Sequence, residues 1–160
     1  MITQSELIDI FDYSDGNLIF KKNRWKSKAG KIAGSRDSKG YLRVRINWNT
    51  YSIHRLIWLY HHGSFPKNLI DHIDGDRTNN KIENLREATH FENNINCSKN
   101  LNNTSGYKNV TWRKDKKKWQ VKCNYKGKTH LGGYFVDLSD AVKKATMLRD
   151  TLHGQFAKHC

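Results

Sequence analysis

Residues 71–80 read DHIDGDRTNN and place three carboxylates and one histidine within six positions of a strongly basic chain. An apolar pair, Leu69 and Ile70, precedes this stretch, and a second apolar run begins at Leu85 after a polar loop. This pattern predicts two short strands joined by a loop, and residues 90–96 predict the first turns of a helix. The sequence therefore predicts a strand–strand–helix unit and an α+β fold for this part of the chain.

The predicted unit would bring three chemically different side chains to one place. Asp71 and His72 lie at the end of the first strand, and Asn93 lies near the start of the helix. A carboxylate oxygen and an amide oxygen can bind a hard divalent cation, while the imidazole beside them can act as a base. Hydrolysis of a phosphodiester uses both parts, because water must be deprotonated and charge on the phosphate must be neutralised. The stretch thus indicates a candidate metal-assisted nuclease site.

Two other interpretations of the acidic stretch explain less of it. A turn rich in Asp, Asn and Gly accounts for Asp76, Thr78 and Asn79 but not for the aspartate and histidine ahead of the turn. An EF-hand loop requires Glu at its twelfth position, where this chain has Ile82 or Leu85. Calcium binding of that kind is therefore not expected.

The charge of the whole chain favours a polyanionic partner. Lys and Arg number 29 against 15 Asp and Glu, which gives a formal net charge of +14 over 160 residues. DNA, RNA or an anionic membrane surface could neutralise this charge, and a merely soluble basic surface is the alternative. No apolar run approaches the roughly 20 residues of a membrane span, and the N-terminus lacks the pattern of a secretory signal. We therefore expect an intracellular protein that is neither secreted nor inserted in a membrane.

The surplus of positive charge is uneven along the chain. Residues 97–160 hold 14 Lys or Arg and 4 Asp or Glu, whereas residues 1–96 hold 15 and 11. Between the two parts lies a stretch that is rich in Asn and Ser and poor in apolar residues, which is typical of a linker. We therefore predict a first domain at residues 1–96 with a β-rich N-terminal extension, a linker at 97–105 and a second domain at 106–160.

Two strands are predicted ahead of the acidic stretch, at residues 17–20 and 41–47. The second alternates strictly, so its apolar residues share one face while Arg43 and Arg45 share the other. Both arginines are candidate DNA contacts.

Residues 54–62 are apolar through most of two turns and are followed by Gly63, which predicts a short helix with a glycine end. His54 has two interpretations, packing within the protein or contact with a DNA phosphate. We count His54 and the adjacent Arg55 among the candidate DNA contacts.

The second domain has a different pattern, with short alternating segments at residues 108–113, 119–124 and 128–131. From Leu138 to Gly154, apolar residues recur at helical spacing. The pattern predicts a small three-stranded antiparallel sheet packed on one helix.

The alternation also predicts which side of this sheet stays uncovered. The residues expected to pack toward the helix are Val110, Trp112, Trp119, Val121, Cys123, Thr129 and Leu131. The residues expected to project from the other face are Thr111, Arg113, Gln120, Lys122, Asn124, Lys128 and His130. This second face is polar and its only formal charges are positive, so it could lie in a DNA groove, where Arg bridges guanine edges, Gln or Asn adenine edges, and Lys phosphates. An ordinary solvated sheet face is the alternative.

The first domain resembles the HNH endonucleases of phages and mobile introns. The likeness spans residues 41–96, and it is carried by Asp71-His72, Asp74-Gly75-Asp76, Asn79-Asn80, Ile82-Glu83-Asn84-Leu85 and Glu92-Asn93, with His54-Arg55 upstream. It implies a ββα-metal nuclease fold in which His72 is the general base and Asn84 holds the loop. It also implies Asp71 and Asn93 as ligands of one Mg²⁺ or Mn²⁺ ion. The third motif position is Asn93 rather than histidine, which favours Mg²⁺ over Zn²⁺.

Residues 106–157 resemble the APETALA/ethylene-response-factor type of DNA-binding domain, which phage endonucleases also carry. The positions that carry the likeness are Gly106-Tyr107-Lys108-Asn109-Val110, Trp119, Leu131-Gly132, Ala141 and Leu152-His153-Gly154. In that family the sheet face enters the major groove of DNA. The segment at 132–135 is one residue longer here than in the family, which affects the register of the third strand.

Together these features predict a two-domain, Mg²⁺-dependent DNA endonuclease of the phage homing type that leaves 5′-phosphate and 3′-hydroxyl ends. Its partner would be double-stranded DNA, with no protein partner indicated, and it would act as a monomer or a weak dimer. A DNA-binding regulator with an inactive nuclease module is the main alternative, and RNA as the substrate is a further one.

Overall fold

The computed structural model describes residues 1–24, 27–95 and 103–159. The contacts between residues divide the chain into two compact units, Met1–His90 and Phe91–Cys160. Each unit combines helix with short antiparallel strands, which confirms the α+β class. Most of the predicted linker falls on residues 97–102, outside the described residues, so the linker stays a prediction.

The first unit is built from two helices and three small antiparallel sheets within the described residues. Its elements are α1 (Gln4–Ile10), β1 (Phe11–Ser14), β2 (Asn17–Phe20), β3 (Ser35–Arg36), β4 (Leu42–Ile46), β5 (Asn49–Ser52), α2 (Ile53–His62), β6 (Leu69–His72) and β7 (Leu85–Ala88). The strands pair as β1 with β2, β4 between β3 and β5, and β6 with β7. The two strands predicted ahead of the acidic stretch are confirmed as β2 and β4.

Helix α2 forms the centre of the first unit. Its residues Ile53, Leu56 and Ile57 are almost fully buried in one hydrophobic core with α1, β1, β2 and β4. Burial of one such side chain contributes roughly 1.5–3 kcal/mol to folding. Gly63 ends the helix with a φ of 75°, a left-handed conformation in which a side chain would be strained, and its N–H donates to the Leu59 carbonyl. The predicted helix and its glycine end are confirmed.

Helix α1 was not expected from the sequence, which indicated a β-rich extension. The signal for it is a capping box: the Glu6 N–H donates to Thr3 Oγ1 at 3.3 Å, and the Thr3 N–H donates to Glu6 Oε2 at 2.8 Å. The helix is only seven residues long, so it is stabilised mainly by packing of its buried face, including Leu7, on α2.

Helix α3 (His90–Ile95) begins at His90, the last residue of the first unit, and its other residues belong to the second unit. One sheet and one long helix follow it. The other elements of the second unit are β8 (Val110–Arg113), β9 (Lys118–Tyr125), β10 (Lys128–Phe135) and α4 (Leu138–His153). The strands pair antiparallel in the order β10, β9, β8. The predicted three-stranded sheet and its helix are therefore present.

The sheet of the second unit packs one face on α4. Val110 and Val121 lie against Ala141 and Ala145 in a small core. The small alanine side chains let the helix approach the strands closely, which suits a sheet of only three strands. No helix among the described residues is long and apolar enough to cross a membrane.

A β-bulge in β10 changes which side chains of residues 128–131 face the helix. His130 pairs with Cys123 and Leu131 pairs with Lys122, but Gly133, not Gly132, pairs with Val121. Gly132 is therefore an inserted residue, and insertion of one residue reverses which side chains face the helix. The faces predicted for Lys128, Thr129, His130 and Leu131 are wrong: Lys128 and His130 lie on the helix side, and Leu131 is 57% exposed on the other.

Candidate active site

The acidic stretch begins at the end of β6, where two polar side chains are buried. Asp71 is 5% and His72 4% exposed. They pair with Arg86 and Leu85 of β7, so the hairpin places both at its loop end. A buried carboxylate and imidazole need polar partners to offset the loss of water.

Arg86 is the partner of Asp71. Its Nε and Nη2 donate to Asp71 Oδ2 at 3.0 and 2.8 Å, and both side chains are mostly buried. Loss of one member would leave the other charge buried and unpaired. Arg86 was not predicted from the sequence, although a basic residue opposite an aspartate in a predicted hairpin is a usable signal.

Asn80 is the partner of His72. Its side chain is 1% exposed, and its Oδ1 lies 2.9 Å from His72 Nε2. The Asn80 amide nitrogen donates to the Thr78 carbonyl at 3.3 Å, which orients the amide oxygen toward the imidazole. His72 Nε2 therefore carries the proton of the neutral ring, and its lone pair is on Nδ1. Asn80 is one of the residues that carry the family resemblance, but its role could not be predicted from the sequence.

Hydrogen bonds across the loop between β6 and β7 involve Asn84. Its Nδ2 donates to Asp74 Oδ1 at 3.0 Å and to the Asn79 carbonyl at 2.8 Å, and its Oδ1 accepts from the Asp74 N–H at 3.1 Å. Desolvation acts to raise the pKa of Asp74, but hydrogen bonds from Asn79 and Asn84 to the carboxylate outweigh it and lower that pKa. The loop is thus tied to the strand that carries His72.

His54 lies behind His72 rather than on the surface. The two rings meet edge to face with centroids 5.3 Å apart, and Tyr41 packs on both. His54 is 8% exposed, and burial, helped by the nearby positive charge of Arg55, lowers its pKa to about 3. A neutral, buried imidazole does not fit the predicted phosphate contact, and of the two interpretations the structure favours packing.

The other candidate DNA contacts of the first unit differ in their surroundings. Arg43 and Arg45 project from the exposed face of β4, as predicted, and Arg43 is ion-paired with Asp37 at 2.8 Å. Arg55 is half-buried and donates to the Pro66 carbonyl at 3.5 Å. A surface ion pair such as that of Arg43 contributes little to stability, so a phosphate could replace the carboxylate.

Five of the seven candidate contacts in the second unit share the uncovered face of the sheet, by cross-strand register: Thr111, Arg113, Gln120, Lys122 and Asn124. Arg113 donates to Asp115 at 3.0 and 3.3 Å, and Gln120 donates to the Tyr134 hydroxyl at 2.9 Å. Lys128 and His130 do not share this face, because the β-bulge at Gly132 places them on the helix side.

The proposed metal ligands are oxygen donors. Asp71 offers a carboxylate, and Asn93 an amide on α3 in the second unit, so their pairing at one ion stays a prediction. Among the described residues, no group of three or more His, Cys, Asp or Glu side chains could hold a metal ion. A small set of hard oxygen donors fits Mg²⁺ or Mn²⁺, which keep water and substrate oxygens in their coordination shell, better than Zn²⁺.

Comparisons with known proteins relate the segment that carries this site to a known family. Residues 51–95 match the HNH endonuclease family. The chain is 38% identical over 106 residues to protein 3.8 of Escherichia phage T7, a match that covers 66% of this chain and 87% of that protein. It is 31% identical over 85 residues to YosQ of Bacillus subtilis (strain 168), named as an SPbeta prophage-derived HNH homing endonuclease, covering 52% of this chain and 49% of YosQ. No solved structure matches the chain.

Proposed function

We propose, from the premise that the chain belongs to the HNH endonuclease family, that it is a metal-dependent DNA endonuclease of the phage homing type. The observation that carries this proposal is the buried pair Asp71 and His72 at the end of β6, inside the family segment, with the imidazole oriented by Asn80. A histidine held in one tautomer, with a carboxylate next to it in the chain, offers the base and the cation ligand that a nuclease needs in order to activate water.

In the proposed reaction, His72 accepts a proton from water through Nδ1 while Nε2–H stays bonded to Asn80. The water oxygen forms a bond to phosphorus and the bond from phosphorus to the 3′ oxygen breaks. The 3′ oxygen takes up a proton from solvent, and the products are a 5′-phosphate and a 3′-hydroxyl. Asn84 keeps the loop in place beside His72 through its bonds to Asp74 and Asn79.

Asp71 and Asn93 are the residues that would hold one Mg²⁺ or Mn²⁺ ion. When bound, such an ion neutralises negative charge on the phosphate and on the departing oxygen. Arg86 keeps the Asp71 carboxylate in a defined orientation through two hydrogen bonds, which favours a preformed ligand.

The second unit is proposed to bind double-stranded DNA in the manner of the APETALA/ethylene-response-factor domains. Support comes from its three-stranded sheet backed by one helix and from the polar side chains on its uncovered face, including Arg113, Gln120 and Lys122. This unit would position the nuclease on a site, and nearby lysines would contact phosphates.

One observation favours a second candidate function, a DNA-binding regulator whose nuclease module is inactive. The Asp71 carboxylate is already paired with the Arg86 guanidinium. If that pair excluded the cation, the chain would bind DNA without cutting it. The two functions differ in whether cleavage occurs and in whether it depends on His72.

The test is incubation of supercoiled plasmid and phage genomic DNA with the protein, in Mg²⁺ and in EDTA. His72→Ala is compared with wild type and with His62→Ala, which removes an exposed imidazole at the end of α2. We expect nicked or linear products only with metal, a rate lower by about 10²–10⁴-fold in His72→Ala, and an unchanged rate in His62→Ala. DNA that is retarded on a gel but stays intact with every variant would favour the regulator instead.

A further inference from the structure

A pocket of about 430 Å³ lies in the first unit, beside the turn between β4 and β5. Its apolar lining residues are Ile10, Phe20, Ile46 and Trp48. Its polar lining residues are Arg24, Ser27, Arg45 and Asn47. No carboxylate is among these described residues, and the volume lies within the range of small-ligand sites. None of them belongs to the candidate active site.

Trp48 stands at the tip of the hairpin and is 76% exposed. Asn47 and Trp48 both have positive φ values, 46° and 67°, as in the type I′ turns that favour Asn followed by Gly. A tryptophan is a poor residue for the second position, both for its backbone conformation and for the apolar ring it exposes to water. A residue selected for this turn conformation alone would be glycine.

Two arginines line the pocket. The Arg45 guanidinium lies 5.0 Å from the centroid of Trp48, and Arg24 donates to Asn47 Oδ1 at 3.2 Å. Within the described residues neither arginine is ion-paired, in contrast to Arg43. The described residues near Arg24 in the sequence, 21–24 and 27–31, hold five Lys or Arg and no Asp or Glu. The pocket therefore joins an aromatic surface and apolar side chains to two arginines in a basic part of the chain.

We propose that this pocket binds an unstacked nucleotide of a single DNA strand. A duplex offers only the edges of its bases, because their faces are stacked on one another. A ligand that offered only phosphates would need only the two arginines and not the aromatic ring. An apolar wall with an exposed tryptophan matches the face of an unpaired base, and Arg24 and Arg45 match its phosphates. This inference rests on DNA as the ligand of the proposed function, but it does not depend on cleavage.

The test measures binding by the full chain in EDTA, so that no strand is cut. The probes are fluorescein-labelled oligothymidylate of about 12 nucleotides, within the usual site size for single strands, and a duplex of the same length. The variants are Trp48→Gly, Trp48→Phe and Arg45→Gln. Arg36→Gln is the matched control, because Arg36 is exposed on β3 and does not line the pocket.

Trp48→Gly is the informative variant because it creates the Asn-Gly pair that this turn prefers, so folding should be kept. We expect its affinity for the single strand to fall roughly 5- to 150-fold, the loss of one base–aromatic stack. Its affinity for the duplex should stay close to that of wild type. Trp48→Phe should retain most single-strand binding, Arg45→Gln should weaken it, and Arg36→Gln should not.

Single-strand affinity that is unchanged in Trp48→Gly would overturn the inference. Equal losses for single strand and duplex would also overturn it, since the hairpin would then be a duplex contact. If wild type bound neither probe, the proposed DNA-directed function would fail together with the pocket. If wild type bound both probes independently of Trp48, only the pocket assignment would fail.

Discussion

The chemistry of Asp71 and His72 depends on residues that hold them from behind. Arg86 binds the carboxylate, Asn80 binds the imidazole, and His54 fills the space next to the ring as a neutral side chain. Both polar partners approach groups that are almost fully buried. Orientation is therefore set before any substrate arrives, which reduces the reorganisation needed for reaction.

Asn80 is expected to position His72 rather than to touch substrate. In Asn80→Ala the Nε2–H loses its acceptor, and we expect the cleavage rate to fall by about 10–100-fold, as for other groups that orient a functional histidine. Stability should fall by about 1–3 kcal/mol from the unsatisfied buried donor. Single-turnover cleavage assays and thermal unfolding measure the two effects separately.

Asn80→Asp and Asn68→Ala serve as controls for this prediction. Aspartate retains an oxygen acceptor for Nε2–H and should recover part of the lost rate, whereas Asn68 is an exposed loop residue whose replacement should change neither quantity. A cleavage rate in Asn80→Ala equal to wild type would show that the hydrogen bond has no catalytic role.

At the scale of elements, β10 shows how one residue alters a surface. Strand periodicity is two, so the extra residue at Gly132 turns His130 inward and Leu131 outward relative to simple alternation. The sequence contains a signal for this bulge, since the segment at 132–135 is one residue longer than in the family of DNA-binding domains that it resembles. The position of the bulge within the strand, however, is seen only in the structure, where Gly132 lies close to Val121 and Leu148.

Gly132→Ala should destabilise the second unit. A Cβ at this position would lie 2.6 Å from Val121 Cγ1, closer than such contacts occur, and Val121 is fully buried. Overpacking of this kind costs about 1–3 kcal/mol, which corresponds to a fall in Tm of several degrees. Thermal unfolding of the full chain measures it.

Leu131→Ala is the neighbouring control for Gly132→Ala. Leu131 is exposed, so its truncation should change stability by no more than about 0.5 kcal/mol. Equal melting curves for Gly132→Ala and wild type would mean that the strand relaxes around the new methyl group.

At the scale of the molecule, the net charge of +14 is spread over two units. The first carries the candidate active site, and the second carries a sheet with Arg113 and Lys122 on its uncovered face. Positive charge of this size attracts DNA before any specific contact is made. It therefore affects affinity and association rate more than it affects the choice of sequence.

Affinity for duplex DNA should fall steeply with salt. If about 6–10 phosphates are contacted, the association constant should fall by roughly 10³–10⁵ between about 50 and 200 mM salt, because bound counterions are released. Fluorescence anisotropy titrations at several salt concentrations give the slope. Lys122→Ala should reduce that slope by about 1, and a flat salt response in wild type would contradict the assignment of a polyanionic ligand.

Local features of this protein could be determined from the sequence alone. The alternation in β4, the glycine end of α2, the strands on either side of the acidic loop and the helix α4 each depend on a few neighbouring residues. Periodicity and turn chemistry act over that same short range, which is why they were sufficient. The pattern of Asp71 and His72 before a polar loop likewise placed the candidate site in the chain.

Only the tertiary structure decided which distant groups meet. It paired Asp71 with Arg86 across the hairpin and gave His72 a buried acceptor in Asn80. It also buried His54 and, through one inserted glycine, reversed which side chains in the first half of β10 face the helix. These outcomes depend on strand register and on the cost of burying an unpaired polar group, and neither is a property of a short stretch of sequence.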